Sequence, residues 1–198
     1  MEITPLETEQ IGIKTLEKHL IKSKHNVSLK IGLPKENSND ELRLSLTPGG
    51  VSILKANGHD VYIEKGAGEG ASFSDREYAE AGAEIVYSTE DVFKKSELIS
   101  KIAPLTDEEL QYLQPNQILL SALHLGATNE IFFRTLTQQG VTGIGYEFIK
   151  GADKEFPIVR MMHEITGSMS VQIAAHYLEN RNGGQGVMLG GISGVPPA

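Results

Sequence analysis

The sequence predicts an α/β fold built on a doubly wound, mostly parallel β-sheet. From Leu29 onward, short apolar segments of strand length alternate with segments of helical length, as in βαβ units joined by right-handed crossovers. Polar residues follow several of the expected strands, at the edge where such sheets bind ligands. With 198 residues, 39% of them hydrophobic and 22% charged, the chain can bury a core of this kind. The expected architecture is therefore Rossmann-like or flavodoxin-like, with an extra N-terminal helix.

Two of the expected helices have a capping signal in the sequence. Thr47 is placed as the N-cap of a helix that begins at Pro48, and Ser74 is placed as the N-cap of the next helix. The expected strands are Leu29–Leu33, Asp60–Glu64, Glu84–Val86, Glu97–Ile102, Gln117–Ser121 and Thr142–Gly145. The expected helices are Pro48–Asn57, Asp75–Ala81, Thr89–Lys95, Thr106–Leu113, Asn129–Gln139 and Met162–Asn180.

The segment before the first strand differs from the rest of the chain. Within Met1–Asn26, apolar residues fall near helical spacing and are interleaved with lysines, which indicates a weakly amphipathic helix. We expect residues 1–28 to form a helical extension that caps the sheet edge or packs on a neighbouring subunit, and we assign it no chemistry.

Composition narrows the classes of function. The net charge of −8 argues against nucleic acid or an anionic membrane as a partner. The chain has no cysteine, which excludes disulfides, thiol catalysis and thiolate metal sites and fits a reducing compartment such as the cytoplasm. No apolar run is long enough to span a membrane, and the N-terminus lacks the apolar core of a signal peptide. The segment HEITG is not HExxH, so we expect no metal site.

A glycine-rich loop, Gly66–Gly70, follows the second expected strand and invites a dinucleotide-binding interpretation. Its glycines stand at offsets 0, 2 and 4, whereas the dinucleotide fingerprint needs offsets 0, 2 and 5 with a helix that begins inside the motif. The next helix begins only after Ser74. We therefore interpret Gly66–Gly70 as a tight backbone turn.

Three polar residues stand where expected strands end, and each has a functional and a structural interpretation. Arg43, in the loop after the first strand, can grip a carboxylate with two parallel hydrogen bonds, or it is a solvated surface arginine. Lys101 can face a ligand anion, or it is a solvated lysine at a strand end. His124 can act as an acid or base, or it is a hydrogen-bonded core histidine between two leucines. Glu147 closes the last strand and is either a cleft carboxylate or a loop carboxylate.

The segment from Gly32 to Val86 carries a resemblance to a known family. It contains GLPKE, then ELR, then LTP, then NGHDV, then EKGAGEG, and finally FSDREYAEAGA. This order resembles the N-terminal domain of the alanine dehydrogenases and of the pyridine-nucleotide transhydrogenase alpha subunits. The resemblance continues, more loosely, to Ala198.

The resemblance implies roles for the three strand-end residues. Arg43 would hold the carboxylate of pyruvate or L-alanine, and His124, within the LHL that alanine dehydrogenases carry, would be the catalytic acid/base. Lys101 would bind substrate and polarise its carbonyl. The matching segment often reads KVKEP, and here it reads SKIAP. Lys101 therefore either takes the role of the second lysine or matches the first, with the second missing.

The C-terminal part is expected to lead toward a cofactor domain. His163 stands where the family has a serine that helps to bind the nicotinamide cofactor, and we take it as a candidate NAD contact. The resemblance implies a substrate-binding α/β domain at 29–160, then a helix and glycine-rich linker at 161–198 leading to an NAD-binding domain absent from this sequence. No GxGxxG fingerprint occurs in these 198 residues.

The implied function is that of the N-terminal part of an alanine dehydrogenase, inactive by itself. The complete enzyme would interconvert L-alanine with pyruvate and ammonia using NAD and would form a homo-oligomer. Two alternatives stay open: a fragment of a transhydrogenase alpha subunit, which binds nucleotide but no amino acid, and a non-catalytic assembly domain. His124 favours the alanine dehydrogenases.

Overall fold

The computed structural model describes residues 28–37, 41–126, 129–191 and 193–194. The predicted helix within residues 1–28 lies almost entirely outside the described residues. The chain forms two compact units, residues 1–145 and 146–198, and each is described by itself below.

The first unit is built on one six-stranded sheet in which every paired strand is parallel. Its order is β3-β2-β1-β4-β5-β6, so the chain moves outward from β1 to β3 and then returns to lay β4 beside β1. This order is doubly wound, with its switch point between β1 and β4. The predicted fold class is confirmed. The strands are β1 (Lys30–Leu33), β2 (Asp60–Glu64), β3 (Glu84–Val86), β4 (Leu98–Ser100), β5 (Ile118–Ser121) and β6 (Thr142–Gly145).

Two helices of the first unit begin at the predicted caps. Thr47 accepts a hydrogen bond from the Gly50 N–H, and Ser74 exchanges hydrogen bonds with Glu77 in a capping box. The helices of this unit are α1 (Pro48–Ala56), α2 (Asp75–Glu80), α3 (Thr89–Lys95) and α4 (Glu130–Gln139).

The predicted α-helix over Thr106–Leu113 is wrong in type, because the structure has a short 3₁₀ helix at Glu109–Tyr112. Its N-terminal turn is organised by Glu109, whose carboxylate accepts the Thr106 N–H at 2.8 Å while its own N–H donates to the Thr106 hydroxyl. That carboxylate also binds outside the segment, as described below, so a tertiary contact determines the geometry that helical propensity would otherwise have set.

The core consists of two apolar clusters, which alternation along the strands places on opposite faces of the sheet. In β4, Ile99 belongs to one cluster and Leu98 packs on the other. Val51 of α1 and Tyr78 of α2 cover one face, whereas Phe93 of α3 packs with the other cluster. Helices on both faces leave the sheet edge at the strand carboxyl ends for loops.

The second unit contains a 22-residue helix, α5 (Pro157–Leu178), with short 3₁₀ helices at Tyr146–Phe148 and Asn180–Asn182. The helix starts five residues before the predicted Met162, because Pro157 occupies its first turn, a position that suits proline. Among the described residues, no helix has the length and apolar character needed to cross a membrane.

Candidate functional site

The candidate site lies where the loops after β1 and β4 diverge from the switch point of the sheet. The loop after β1 is fastened to the end of β4 by two sets of hydrogen bonds. The Glu36 carboxylate accepts the Ile102 N–H at 2.6 Å and the Ala103 N–H at 3.4 Å. The Ser45 hydroxyl donates to the Ser100 carbonyl at 3.2 Å. These contacts hold both ends of the loop that carries Arg43 against the segment that carries Lys101.

Lys101 is a buried lysine, not a solvated one. Its side chain is 1% exposed, and its ammonium lies 2.6 Å from Glu109 Oε1 and 3.5 Å from Glu36 Oε2. Glu109 is itself 1% exposed and accepts a further hydrogen bond from the Asn37 side-chain amide at 3.1 Å. We call Lys101, Glu36 and Glu109 the buried triad. Burial of a lysine in this environment is costly unless carboxylates pair with it, and here two of them do.

Glu36 is the member of the triad whose charge acts on both candidate cations. Burial raises the pKa of Glu36, and the positive charge of Lys101 and the two backbone N–H donors oppose that rise. The negative charge of Glu36 also helps to raise the pKa of Arg43. The loop that carries Arg43 is fastened to the segment that carries Lys101, so the two cations belong to adjoining segments at the switch point.

Arg43 is half-exposed and is held by a carboxylate two residues away. Its Nε donates to Glu41 Oε1 at 2.8 Å, and its Nη2 donates to Glu41 Oε2 at 2.6 Å, which is a bidentate pair. These hydrogen bonds raise the pKa of Arg43, and the same bonds hold the pKa of Glu41 below its ordinary value. The side chain of Arg43 is 50% exposed, so the pair faces solvent on one side.

His124 follows β5, the strand next to β4, and its side chain is exposed. Leu123, immediately before it, is buried at 7% exposure. The interpretation of His124 as a core histidine is therefore wrong for this structure. Its φ of 45° lies in the left-handed region, which is uncommon for a residue other than glycine and is often found at functional positions. His124 stands at the same edge of the sheet as Lys101.

The remaining sequence candidates belong to the second unit. Glu147 lies in the 3₁₀ helix at Tyr146–Phe148. His163 lies on α5 with its side chain exposed, and its role as a cofactor contact stays a prediction. In the part of the chain that the structure describes, no group of three or more histidine, aspartate or glutamate side chains is arranged to hold a metal ion.

Sequence reasoning missed the three carboxylates of the site. Glu36 and Glu41 stand inside the GLPKE and ELR segments that carry the family resemblance, yet that resemblance suggested no role for them. Glu109 had a local signal, because Thr106 followed three residues later by Glu109 is a capping-box spacing. No sequence signal shows that this carboxylate also binds a lysine eight positions earlier.

The glycine-rich loop has a structural role beside the Arg43 segment. Gly66–Gly70 forms turns that run into a 3₁₀ helix at Glu69–Ala71, as the interpretation of a tight turn predicted. At Gly70, an added Cβ would lie 2.6 Å from the Leu42 carbonyl oxygen and 3.0 Å from the Leu42 Cβ. The absence of a side chain at Gly70 therefore lets the segment that carries Arg43 pack directly on this loop.

The fold and the site together define a class of protein: a doubly wound parallel domain with two cations and a histidine at the edge that holds the switch point. The sequence profile of the family described as "Alanine dehydrogenase/PNT, N-terminal domain" matches residues 32–166. The chain belongs to this family.

Relatives and solved structures agree with that assignment. The alanine dehydrogenase of Methanococcus maripaludis is 44% identical over 168 residues, which are 85% of this chain and 45% of the relative. That of Bacillus subtilis is 41% identical over 165 residues, 83% of this chain and 43% of the relative. A solved L-alanine dehydrogenase superposes with a TM-score of 0.81 at 39% identity, over 86% of this chain and 46% of that chain.

A more distant neighbour represents the second branch of the family. The crystal structure of a transhydrogenase from Sinorhizobium meliloti superposes with a TM-score of 0.57 at 26% identity, over 61% of this chain and 35% of that chain. The chain spans less than half the length of these relatives and structures.

Proposed function

We propose that this chain supplies the substrate-binding part, residues 29–160, of an alanine dehydrogenase that interconverts L-alanine with pyruvate and ammonia. One observation carries the proposal. The loop that carries Arg43 is hydrogen-bonded to the segment that carries Lys101 beside the switch point, and His124 follows the neighbouring strand, in a chain that resembles alanine dehydrogenases over most of its length. This reaction needs a group that binds the substrate carboxylate, a group that interacts with the substrate carbonyl, and an acid/base.

Each residue has a distinct task. Arg43 binds the carboxylate of pyruvate or L-alanine through two parallel hydrogen bonds and so sets the orientation of the substrate. Lys101 acts on the carbonyl or imine through its charge and not by contact, because its side chain is 1% exposed and its ammonium is held by Glu36 and Glu109. His124, exposed at the strand end, moves a proton to or from the group on the reacting carbon, a task that suits an imidazole near neutral pH.

The glycine loop does not fit the pyrophosphate of NAD. The glycine loop is occupied by the protein itself: Gly70 packs on Leu42, and an added Cβ on Gly68 would lie 2.8 Å from the Phe73 carbonyl. We propose that NAD is bound mainly by the part of the longer enzyme that lies beyond the matched region, with His163 as a contact from this chain. On this proposal residues 1–198 alone do not turn over NADH. The longer enzyme is proposed to be a cytoplasmic homo-oligomer.

The second candidate is a transhydrogenase subunit, which the likeness to the Sinorhizobium meliloti protein supports. Such a domain would have no need of a carboxylate site at Arg43. Binding of pyruvate to the chain therefore separates the two candidates.

The test is a titration of pyruvate into the 198-residue chain, followed by NMR. We expect a dissociation constant of about 1 mM or weaker, because solvent screens the half-exposed guanidinium. Arg43→Met should weaken binding by roughly tenfold or more. Arg76→Met is the matched control, since Arg76 forms an exposed pair with Glu80 on α2. Equal binding by both variants would contradict the proposal.

A further inference from the structure

The ion pair between Arg43 and Glu41 has the geometry that the proposed substrate would need. Two adjacent guanidinium nitrogens, Nε and Nη2, donate to the two oxygens of one carboxylate at 2.8 and 2.6 Å. This bidentate pairing, with two parallel N–H···O bonds, is a mode in which arginine recognises a planar carboxylate ligand. Glu41 therefore stands where the carboxylate of a 2-oxo or 2-amino acid would bind Arg43 in the same way.

We propose that Glu41 is an internal competitor for the substrate carboxylate, which occupies Arg43 in the unliganded site and is displaced when the ligand binds. This inference rests on the proposed function of Arg43. It adds a role for Glu41 in setting the affinity for substrate, because the substrate carboxylate must displace the Glu41 carboxylate from the Arg43 guanidinium.

The position of Glu41 makes the exchange easy in both directions. Only one residue, Leu42, separates Glu41 from Arg43, so its carboxylate stays close to the guanidinium at a high effective concentration. The Glu41 Oε1 atom also accepts the Arg43 backbone N–H at 3.0 Å, which holds the carboxylate beside the arginine after the side chains separate. Because half of the Arg43 side chain is exposed, solvent screens the pair and its contribution is small.

The surrounding charges explain why displacement, not simple addition, is required. Three carboxylates, Glu36, Glu41 and Glu109, surround the two cations Arg43 and Lys101. With every group ionised, this set carries one more negative than positive charge, so a further anion is repelled unless a carboxylate leaves. The two carboxylates of the buried triad, Glu36 and Glu109, also accept backbone hydrogen bonds from residues other than Lys101, whereas among the described residues Glu41 is hydrogen-bonded only to Arg43. Glu41 is therefore the carboxylate that moves.

The experiment compares pyruvate binding to the chain and to Glu41→Gln, which keeps the shape of the side chain and removes its charge. We expect binding to tighten by roughly three- to tenfold, in keeping with the loss of one exposed competing ion pair. Glu80→Gln is the matched control, because Glu80 pairs with Arg76 at 2.8 Å on the exposed face of α2. Glu41→Ser, analysed in parallel, removes the carboxylate with a smaller side chain, and the NMR spectrum of each variant reports whether it is folded.

The outcomes separate this inference from the proposed function. Tighter binding in both Glu41 variants, with no change in Glu80→Gln, supports internal competition. Unchanged binding in folded Glu41 variants overturns it, and weaker binding overturns it and shows instead that Glu41 positions Arg43 for the ligand. If the Arg43→Met variant binds pyruvate as well as the unsubstituted chain does, the proposed function of Arg43 fails, whatever the Glu41 variants do.

Discussion

The two cations of the site are neutralised in opposite ways. Arg43 is half-exposed and pairs with Glu41, its neighbour two residues away, whereas Lys101 is 1% exposed and pairs with Glu36 and Glu109 from two other segments. An exposed pair contributes little free energy and exchanges readily, but a buried charge that loses its partner is strongly destabilising. The comparison suggests a division of tasks in which Lys101 is a fixed charge and Arg43 a switchable one.

The largest effect is expected from removing the fixed charge. Lys101→Met should lower the free energy of unfolding by about 3–5 kcal/mol, because it leaves the Glu36 and Glu109 carboxylates buried without their cation. Urea denaturation followed by circular dichroism measures this change. Lys94→Met, at an exposed lysine that pairs with Glu90, should alter stability by less than about 0.5 kcal/mol. A loss of similar size in both variants would show that the buried triad stabilises the fold no more than an exposed ion pair does.

A smaller effect is expected from displacing the segment that carries the switchable charge. Gly70→Ala places a Cβ against the Leu42 carbonyl and should reduce stability by about 1–3 kcal/mol, the usual range for a forced steric shift. It should also weaken pyruvate binding, because Leu42 adjoins Arg43. Gly167→Ala, where an added Cβ meets no heavy atom within 4 Å, should leave binding unchanged. Normal pyruvate binding by folded Gly70→Ala would show that the glycine loop does not position Arg43.

The smallest effects, in the dependence of stability on pH, should have opposite signs for the two regions. Burial raises the pKa of Glu36, so its contribution to stability is fully present below the ordinary pKa of about 4.5 and is lost as the pH rises through the folded-state pKa. The pair with Arg43 lowers the pKa of Glu41, so its contribution is present above about 4.5 and is lost as the pH falls through its folded-state pKa.

Urea denaturation at a series of pH values, for Glu36→Gln and Glu41→Gln against the unsubstituted chain, measures the two slopes. The stability of the unsubstituted chain relative to Glu36→Gln should fall as the pH rises. Its stability relative to Glu41→Gln should rise over the lower part of the same range. Slopes of the same sign would contradict the contrast between a desolvated and a paired carboxylate.

Much of the scaffold could be predicted because its signals are local. Five of the predicted helices and all six predicted strands are present in the structure, with ends that differ by a few residues. The caps at Thr47 and Ser74 depend only on residues within one turn, so their sequence spacing is sufficient. The segment Thr106–Leu113 failed because Glu109 makes a contact outside the segment, which no local propensity contains.

For the candidate site, the sequence predicted which residues lie at the strand ends but not the surroundings of their side chains. Strand ends and the parallel sheet indicate that Arg43, Lys101 and His124 share one edge, since the carboxyl ends of parallel strands meet there. Whether each side chain is buried or exposed could not be inferred. The structural interpretation of Lys101 was a solvated lysine, but the structure buries it. The structural interpretation of His124 was a core histidine, but the structure exposes it.

The sequence by itself determined the fold class, the family, and the order in which three chemically capable residues reach one edge of the sheet. Those properties follow from hydrophobic alternation, capping residues and a conspicuous series of short motifs, all of which are read along the chain. Only the tertiary structure decided which carboxylate neutralises which cation. In the folded chain, Lys101 is buried and pairs with Glu36 and Glu109. Arg43 is half-exposed and pairs with Glu41. The physical reason is that desolvation and ion pairing depend on distances in space, which the packing of loops on the sheet sets.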